Sequence, residues 1–284
     1  MISVFQPQDT LYMIPYVLTA FGLWVIYILF RIYETWFTNK TDRLIYRDLI
    51  VFRTLSRKQK EFLLQKNDFY KKLSNKEQRR FEHRVRIFLN ETKFIGREGL
   101  IITEEIKLLI AATAIMITFG RKHFSYELVD HILVYPDAFY SNINDTFHKG
   151  EFNPMQRTIV FSWKDFEHGY QITDDNLNVG IHEFVHAMQI GAMRSNDIDS
   201  LRLERVFQRI LKRLTQQEIK DKIDEVKYFR AYAFTNQYEF MAVMIEYFFE
   251  SPKDFATHFP VLYGHVKTIL NFNNIGLEHA LKLD

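Results

Sequence analysis

The chain contains no cysteine among its 284 residues, which excludes disulfides, a thiol nucleophile and metal sites built on thiolates. A metal ion in this protein would therefore depend on histidine and carboxylate ligands. The net charge is only +2, so the composition lacks the basic excess that indicates nucleic-acid binding, and we predict no nucleic-acid partner. With 47% apolar and 25% charged residues, the chain is long enough and apolar enough to bury a full core.

A long uncharged segment lies near the N-terminus, from Leu11 to Phe30. About 20 apolar residues suffice for an α-helix to cross the hydrocarbon core of a membrane. We therefore predict a short N-terminal segment (residues 1–10) and one transmembrane helix (residues 11–30). A buried core helix is the alternative, and a cleaved signal peptide fits less well because no basic residue precedes the apolar run.

The charges that flank this segment predict its orientation. None of the residues before it is basic, whereas four basic residues follow it: Arg31, Lys40, Arg43 and Arg47. By the positive-inside rule, the part of the chain after the span lies in the cytoplasm. The predicted arrangement is a single-pass membrane protein whose C-terminal domain lies in the cytoplasm.

Residues 31–100 form a predicted juxtamembrane region with two or three amphipathic helices, because Leu, Phe and Tyr recur at helical spacing among charged residues. We interpret the basic residues of this region as a solvated face, with binding to the membrane surface as the alternative for those nearest the span. These residues are Arg57, Lys58, Lys60, Arg79, Arg80, Arg84 and Arg86.

Residues 101–284 are predicted to form one α+β domain that is predominantly helical. A helix is expected from Thr103 through Thr118, because an acceptor and two carboxylates precede an apolar stretch. Two β-branched and aromatic runs, Ile132–Pro136 and Thr158–Trp163, predict strands of a small sheet with a polar loop between them. The second strand is a candidate edge to which an extended substrate pairs.

The pattern H-E-x-x-H occurs at His182, Glu183 and His186. Residues four apart on a helix share a face, so both histidines can direct a ring nitrogen at one ion. Glu183 lies between them and is placed to take a proton from a water activated by zinc. The other residues around the motif are apolar, which indicates a core helix in which these three side chains need partners. We predict one Zn²⁺ ion and Glu183 as general base; the alternative is that the three residues only hydrogen-bond to neighbours.

A catalytic zinc keeps three protein ligands and one open position, so a third ligand is required. The segment Tyr238–Phe249 is an almost wholly apolar helix interrupted by Glu239 and Glu246, which are seven residues apart and share a face. Two carboxylates on one buried stripe are costly unless something cationic faces them. We predict Glu239 as the third ligand and Glu246 as an acid that supports the ligands, with an ordinary peripheral salt bridge as the alternative for Glu246.

Several stretches of the sequence, between about Ile101 and Phe259, resemble the Mlc titration factor A (MtfA) family of zinc peptidases. They are His182-Glu-Phe-Val-His186, Val160-Phe-Ser-Trp163 with Gly169, Glu239-Phe-Met-Ala-Val243 and Glu246-Tyr-Phe-Phe-Glu-Ser-Pro252. That family resembles the catalytic domain of anthrax lethal factor, in which a tyrosine lies seven residues before the zinc-binding glutamate. Tyr232 stands at that spacing here, and the resemblance implies that it donates a hydrogen bond to the substrate carbonyl or oxyanion.

The resemblance further implies a zincin-type domain, aminopeptidase-like activity on small peptides and binding to a transcriptional repressor. Two features depart from the family. Its usual Leu-Asp after the second histidine is Met188-Gln189 here, which removes a carboxylate that could orient a ligand. The predicted N-terminal anchor is absent from the best-known soluble members.

These observations predict a membrane-anchored zinc metallopeptidase that acts on a peptide or protein substrate. One alternative is a regulatory protein that binds a transcriptional repressor or other partner and has a weak or vestigial zinc site. The presence of Glu183, and the lack of an evident fourth protein ligand in the sequence, favour the enzyme. A second alternative is a membrane-associated scaffold that uses the basic helices after the span.

Overall fold

The computed structural model describes residues 7–41, 53–141, 145–172 and 174–272. The chain divides into two units, Met1–Ile45 and Tyr46–Asp284. The described helices are α1 (Pro7–Thr41), α2 (Arg57–Lys66), α3 (Asp68–Lys72), α4 (Asn75–Glu91), α5 (Glu104–Thr118), α6 (Trp163–Gln171), α7 (Val179–Met193), α8 (Ile198–Leu214), α9 (Gln217–Val226), a 3-10 helix (Ala231–Phe234), α10 (Gln237–Glu250), α11 (Pro252–His258) and α12 (Pro260–Ile269). The described strands are β1 (Lys93–Gly96), β2 (His131–Tyr135), β3 (Phe139–Ser141), β4 (Thr146–His148), β5 (Gly150–Asn153) and β6 (Thr158–Ser162).

The N-terminal unit contains the apolar helix α1. Its stretch Tyr12–Thr41 is long and apolar enough to cross a membrane, judged by length and composition. The helix continues eleven residues beyond Phe30, where the predicted span ended. Its apolar side chains are largely exposed, as for Tyr12 at 79% and Leu18 at 63%. Such exposure does not fit the alternative of a buried core helix.

The second unit contains a four-stranded sheet in the order β1-β2-β6-β5. The first three of these strands are parallel, and β5 runs antiparallel to β6. The predicted strands Ile132–Pro136 and Thr158–Trp163 are confirmed as β2 and β6. Their inward side chains, among them Val134 and Phe161, are fully buried. The β-branched and aromatic runs that predicted these strands thus supply side chains to the core.

Two details of the sheet differ from the sequence predictions. The segment between β2 and β6 is not only a polar loop, because it contains β5 and the antiparallel pair β3–β4. These strands have three or four residues each, too few for a clear alternating pattern. In addition, β6 is not an edge strand, since β2 and β5 pair with its two sides. The edge on this side of the sheet is β5.

The motif helix α7 packs in the middle of the core. Its Phe184 ring is fully buried and lies 5.7 Å from the ring of Phe161 on β6 and 5.9 Å from that of Phe88 on α4. At Gly180, an added Cβ would come within 2.5 Å of the Phe166 ring on α6, so the close approach of these two helices requires glycine. These contacts place α7 against both the sheet and the helices that precede it.

Three helices, α2 to α4, occupy the predicted amphipathic region. A capping box begins α2 at Ser56 and another begins α4 at Ser74. Leu63 and Phe81 have no exposed surface and belong to the same hydrophobic core as residues of α5 and α7. The residues before position 100 therefore contribute to the core that supports the motif helix.

The prediction of a uniformly solvated basic face is wrong for Arg80 and Arg84, which are 8% and 3% exposed. The Arg84 guanidinium donates hydrogen bonds to the backbone carbonyls of Thr118, Phe119 and Arg121 at 2.9 to 3.1 Å. It thus satisfies acceptors at the C-terminal end of α5 that have no partner within the helix. Burial lowers the pKa of Arg84 to about 9, so it remains charged at neutral pH.

We expect Arg84→Met to lower the free energy of unfolding by about 3 kcal/mol, because three buried carbonyls lose a charged donor. Urea unfolding followed by tryptophan fluorescence measures this change. Arg86→Met is the matched control, since Arg86 is exposed on the same helix and its loss should change stability by less than about 0.5 kcal/mol. Equal effects of the two substitutions would contradict the assigned role.

Candidate metal centre

Two helices provide the side chains of the site, and an asparagine caps the start of each. The Asn178 side chain accepts a hydrogen bond from the backbone N–H of Ile181 at the start of α7. The Asn236 side chain accepts from the N–H groups of Tyr238 and Glu239 at the start of α10. From Phe240 onward every residue of α10 is buried, so this helix holds its carboxylates within the core.

The side chains of His182, His186 and Glu239 converge, and one potential ligand atom from each lies within 4.8 Å of the others. The His182 Nε2 atom is 2.8 Å from Glu239 Oε2 and 3.1 Å from His186 Nε2, and His186 Nε2 is 3.4 Å from Glu239 Oε1. The structure therefore brings together the three residues that the sequence predicted as metal ligands, which are called the metal group below.

The donor set fits a zinc ion. Ligand atoms roughly 2.0–2.2 Å from a shared ion lie about 3.3–3.5 Å apart at tetrahedral angles. The 3.4 Å between His186 and Glu239 falls in that range, while the 2.8 and 3.1 Å separations are hydrogen-bond distances. Two imidazoles and one carboxylate are ligands that zinc accepts. The two Nε2 atoms also face each other at hydrogen-bond distance, so at least one must present a lone pair. The group could therefore bind a metal ion.

Glu246 lies behind His182 and is 1% exposed. Its Oε1 atom is 2.7 Å from His182 Nδ1, while its Oε2 atom accepts a hydrogen bond from the backbone N–H of Asn178 at 3.0 Å. The Arg230 guanidinium donates to both carboxylate oxygens, at 2.7 and 3.1 Å. Glu246 is therefore a buried ion-pair partner that also orients the imidazole, rather than a peripheral salt bridge, and it leaves His182 Nε2 directed at the metal group.

Glu183 is 7% exposed and lies next to the start of the edge strand β5. An added Cβ at Gly150 would come within 2.8 Å of the Glu183 carboxylate and within 2.4 Å of Val179. Burial raises the pKa of Glu183, and the charges of the two histidines partly oppose that rise. The structure thus places a buried carboxylate with a raised pKa beside the potential metal ligands.

Tyr232 lies in the 3-10 helix, half-exposed, with its ring centroid 5.8 Å from that of His182. The Arg230 guanidinium lies over the Tyr232 ring, 5.8 Å from its centroid. Partial burial and the negative charge of Glu239 both raise the pKa of the Tyr232 hydroxyl. The hydroxyl therefore keeps its proton at neutral pH and can donate a hydrogen bond beside the metal group.

The side chains of the metal group shift one another's pKa values. Burial lowers the pKa of His182, but hydrogen bonds to Glu239 and Glu246 outweigh burial and raise it to about 10. Burial also opposes ionisation of Glu239, yet hydrogen bonds from His182 and His186 hold its pKa well below the usual range. The carboxylates thus stabilise positive charge at the point where the three ligand atoms meet.

Gln189, which replaces the acid usual in the resembled family, is fully buried on α7. Neither atom of its amide has a hydrogen-bond partner among the described residues. The structure therefore gives this side chain no contact through which it orients His186.

Sequence reasoning missed two residues that shape the site, Arg230 and Gly150. Arg230 pairs with Glu246 from a position sixteen residues earlier, outside any regular periodicity. The prediction that the carboxylate stripe needs a cationic partner was the one available signal, and arginine supplies part of that charge. Gly150 gave no signal because its role depends on the approach of a distant helix.

Comparisons with known proteins agree with this geometry. Residues 39–270 match the glucose-regulated metallo-peptidase M90 family, and the chain belongs to that family. Among individual relatives, Mlc titration factor A of Serratia proteamaculans is 27% identical over 213 residues, which cover 68% of this chain and 79% of the relative. The same factor in Yersinia pestis is 26% identical, covering 68% of this chain and 77% of the relative. An uncharacterised protein of Synechocystis is 28% identical over 213 residues, which cover 69% of this chain and 76% of the relative. The resemblance to the Mlc titration factor A family is thereby confirmed.

Proposed function

We propose that the chain is a zinc-dependent peptidase that hydrolyses peptide bonds, with His182, His186 and Glu239 as the metal ligands. The observation that carries this proposal is the convergence of these three side chains next to a buried Glu183 with a raised pKa. Membership of a metallopeptidase family supports the same reaction class. Under this proposal the domain is of the zincin type.

When bound, zinc supplies a Lewis acid that polarises a carbonyl and lowers the pKa of water. Glu183 accepts a proton from the attacking water and delivers it to the leaving amine. Tyr232 donates a hydrogen bond to the substrate carbonyl oxygen, where negative charge develops. Glu246 and Arg230 hold the His182 ring in one orientation, so its Nε2 atom stays directed at the metal.

The edge strand β5 is suited to bind the substrate main chain. Among the described strands only β6 pairs with it, and it begins at Gly150, against Glu183. An extended peptide can pair with such an edge as an added strand, which places a peptide bond near the general base.

We further propose that α1 anchors the protein in a bacterial inner membrane as a single span, with the catalytic domain in the cytoplasm. The length and apolar character of α1 support the anchor, and the basic residues after the span support the orientation.

The second candidate function is regulatory binding of a partner protein. The name of the relatives, Mlc titration factor A, favours it, because that name describes titration of a protein called Mlc. Under this alternative the metal group is weak or vestigial and partner capture is the output. A cytoplasmic transcriptional repressor is then the partner to test.

Incubation of the zinc-loaded chain with a mixture of unstructured peptides, followed by mass spectrometry, tests the enzymatic proposal. New fragments that disappear on chelation and return with zinc are the expected result. Partner binding that survives chelation, without any fragments, would favour the regulatory alternative.

Gly150→Ala should lower turnover about 10- to 100-fold while zinc content stays unchanged, because the new Cβ collides with Val179 and Glu183, neither of which is a proposed metal ligand. Peptide hydrolysis and zinc content, measured on the same sample, check this expectation. Gly191→Ala is the control on α7, since an added Cβ there meets nothing within 4 Å. Unchanged turnover in Gly150→Ala would contradict the assigned position of the general base.

A further inference from the structure

Exposed aromatic side chains are confined to two places in the described residues beyond α1. Four aromatic side chains are about half-exposed or more: Tyr140 at 49%, Phe147 at 69%, Tyr232 at 51% and Phe234 at 50%. The first two lie on the hairpin β3–β4, and the other two lie in the 3-10 helix. Exposed aromatic clusters on a folded domain indicate binding surfaces more often than isolated exposed residues do.

The 3-10 helix borders the metal group from the side of His182. Its Tyr232 ring lies 5.8 Å from the His182 ring. Phe234 follows two residues later and packs one side of its ring on Phe240 of α10, at 5.7 Å, while half of its surface stays exposed. This aromatic pair is therefore fixed in position next to one metal ligand.

The hairpin directly precedes β5, the strand that begins against Glu183. Tyr140 and Phe147 are directly opposite each other in the β3–β4 register, and their ring centroids are 5.5 Å apart. Phe147 precedes Gly150 by three residues, a distance of at most roughly 11 Å along the chain. Since Gly150 abuts the Glu183 carboxylate, the hairpin aromatics lie within this chain distance of the contact between β5 and Glu183.

We propose that these four aromatics form the side-chain recognition surface for the substrate, which is an extended peptide with large apolar side chains on both sides of the scissile bond. The inference rests on the proposed peptidase function and specifies its substrate class. The closeness of β4 to β5 in the chain carries the choice of occupant. Because β4 ends two residues before β5 begins, a peptide that pairs with β5 and continues past Gly150 runs from Glu183 toward the hairpin. Rigid aromatic side chains offer large contact area at little cost in conformational entropy.

Fluorescence anisotropy tests the proposal with the full chain in detergent, zinc-loaded and carrying Glu183→Gln so that peptides are bound without cleavage. The probes are two labelled hexapeptides of equal charge, one with Phe-Leu at its centre and one with Ser-Ser. We expect the Phe-Leu peptide to bind about tenfold more tightly. Phe147→Ser and Phe234→Ser should each weaken its binding about fivefold and leave the Ser-Ser peptide unaffected.

Ile101→Ser and Met155→Ser are the matched controls, because these residues are 81% and 84% exposed and lie on other segments. Equal affinity for the two peptides, or equal losses in the control variants, would overturn the proposal. The proposal would also be overturned if Phe147→Ser left peptide binding unchanged and altered self-association, measured by light scattering. That result would assign the aromatics to contacts between copies of the chain.

The parallel cleavage assay with the Glu183-containing chain separates this inference from the proposed function. Cleavage of both peptides at equal rates would refute the recognition surface and leave the peptidase intact. Selective binding of the Phe-Leu peptide without cleavage would refute the peptidase and retain the aromatic surface.

Discussion

Glu183→Gln should reduce peptide hydrolysis by roughly 10²- to 10⁴-fold, because an amide accepts no proton from the attacking water. The substitution should leave zinc content near stoichiometric, since Glu183 is not among the three converging ligand side chains. Gln is close in shape to Glu, so the buried contacts of the side chain with β5 are retained. Initial rates with a peptide substrate and metal analysis of the same preparation measure both quantities.

Glu167→Gln is the control for this result, because Glu167 is an exposed carboxylate on α6. Its replacement should change the rate by less than twofold. Equal hydrolysis by the wild type and Glu183→Gln would refute the assignment of the general base and, with it, the enzymatic account.

Glu239→Gln should weaken zinc affinity roughly a hundred- to a thousandfold. Binding free energies of about 10–16 kcal/mol, shared among four ligands, correspond to roughly 3 kcal/mol for each. Competition with a fluorescent zinc chelator measures the affinity directly. Hydrolysis should fall in proportion to metal occupancy and recover at high zinc concentration.

Glu246→Gln is the informative comparison, because this residue contacts His182 without belonging to the converging ligand group. Loss of a carboxylate that orients a metal-binding histidine typically weakens metal affinity 10- to 100-fold, a smaller effect than loss of a ligand. A larger loss in Glu246→Gln than in Glu239→Gln would reverse the roles given to the two carboxylates.

The sequence was most informative where a local period reports the structure. The four-residue spacing of His182 and His186, the seven-residue spacing of Glu239 and Glu246, and the β-branched runs of β2 and β6 each follow from helix or strand geometry. Their side chains consequently lie on the faces that periodicity predicts. The core position of α7 also followed from the apolar residues that surround the motif.

The remaining features depend on contacts between segments that are distant in the chain. Arg84 lies in a charged, polar stretch typical of a solvated face. It is nevertheless buried, and its guanidinium donates to three backbone carbonyls at the end of α5. The edge strand beside β6 is β5, whose four residues give no strand pattern on their own. The role of Arg230 as the partner of Glu246 follows from their contact in the folded chain and from no local pattern. Tertiary pairing, rather than local propensity, determines each of these.

Anomalous diffraction at the zinc edge, on crystals of the chain grown with stoichiometric zinc, tests the metal centre most directly. A single peak bordered by His182 Nε2, His186 Nε2 and the Glu239 carboxylate, with Glu183 beside it and outside the ligand set, is the predicted result. A peak at other residues, or none at this group, would contradict the account.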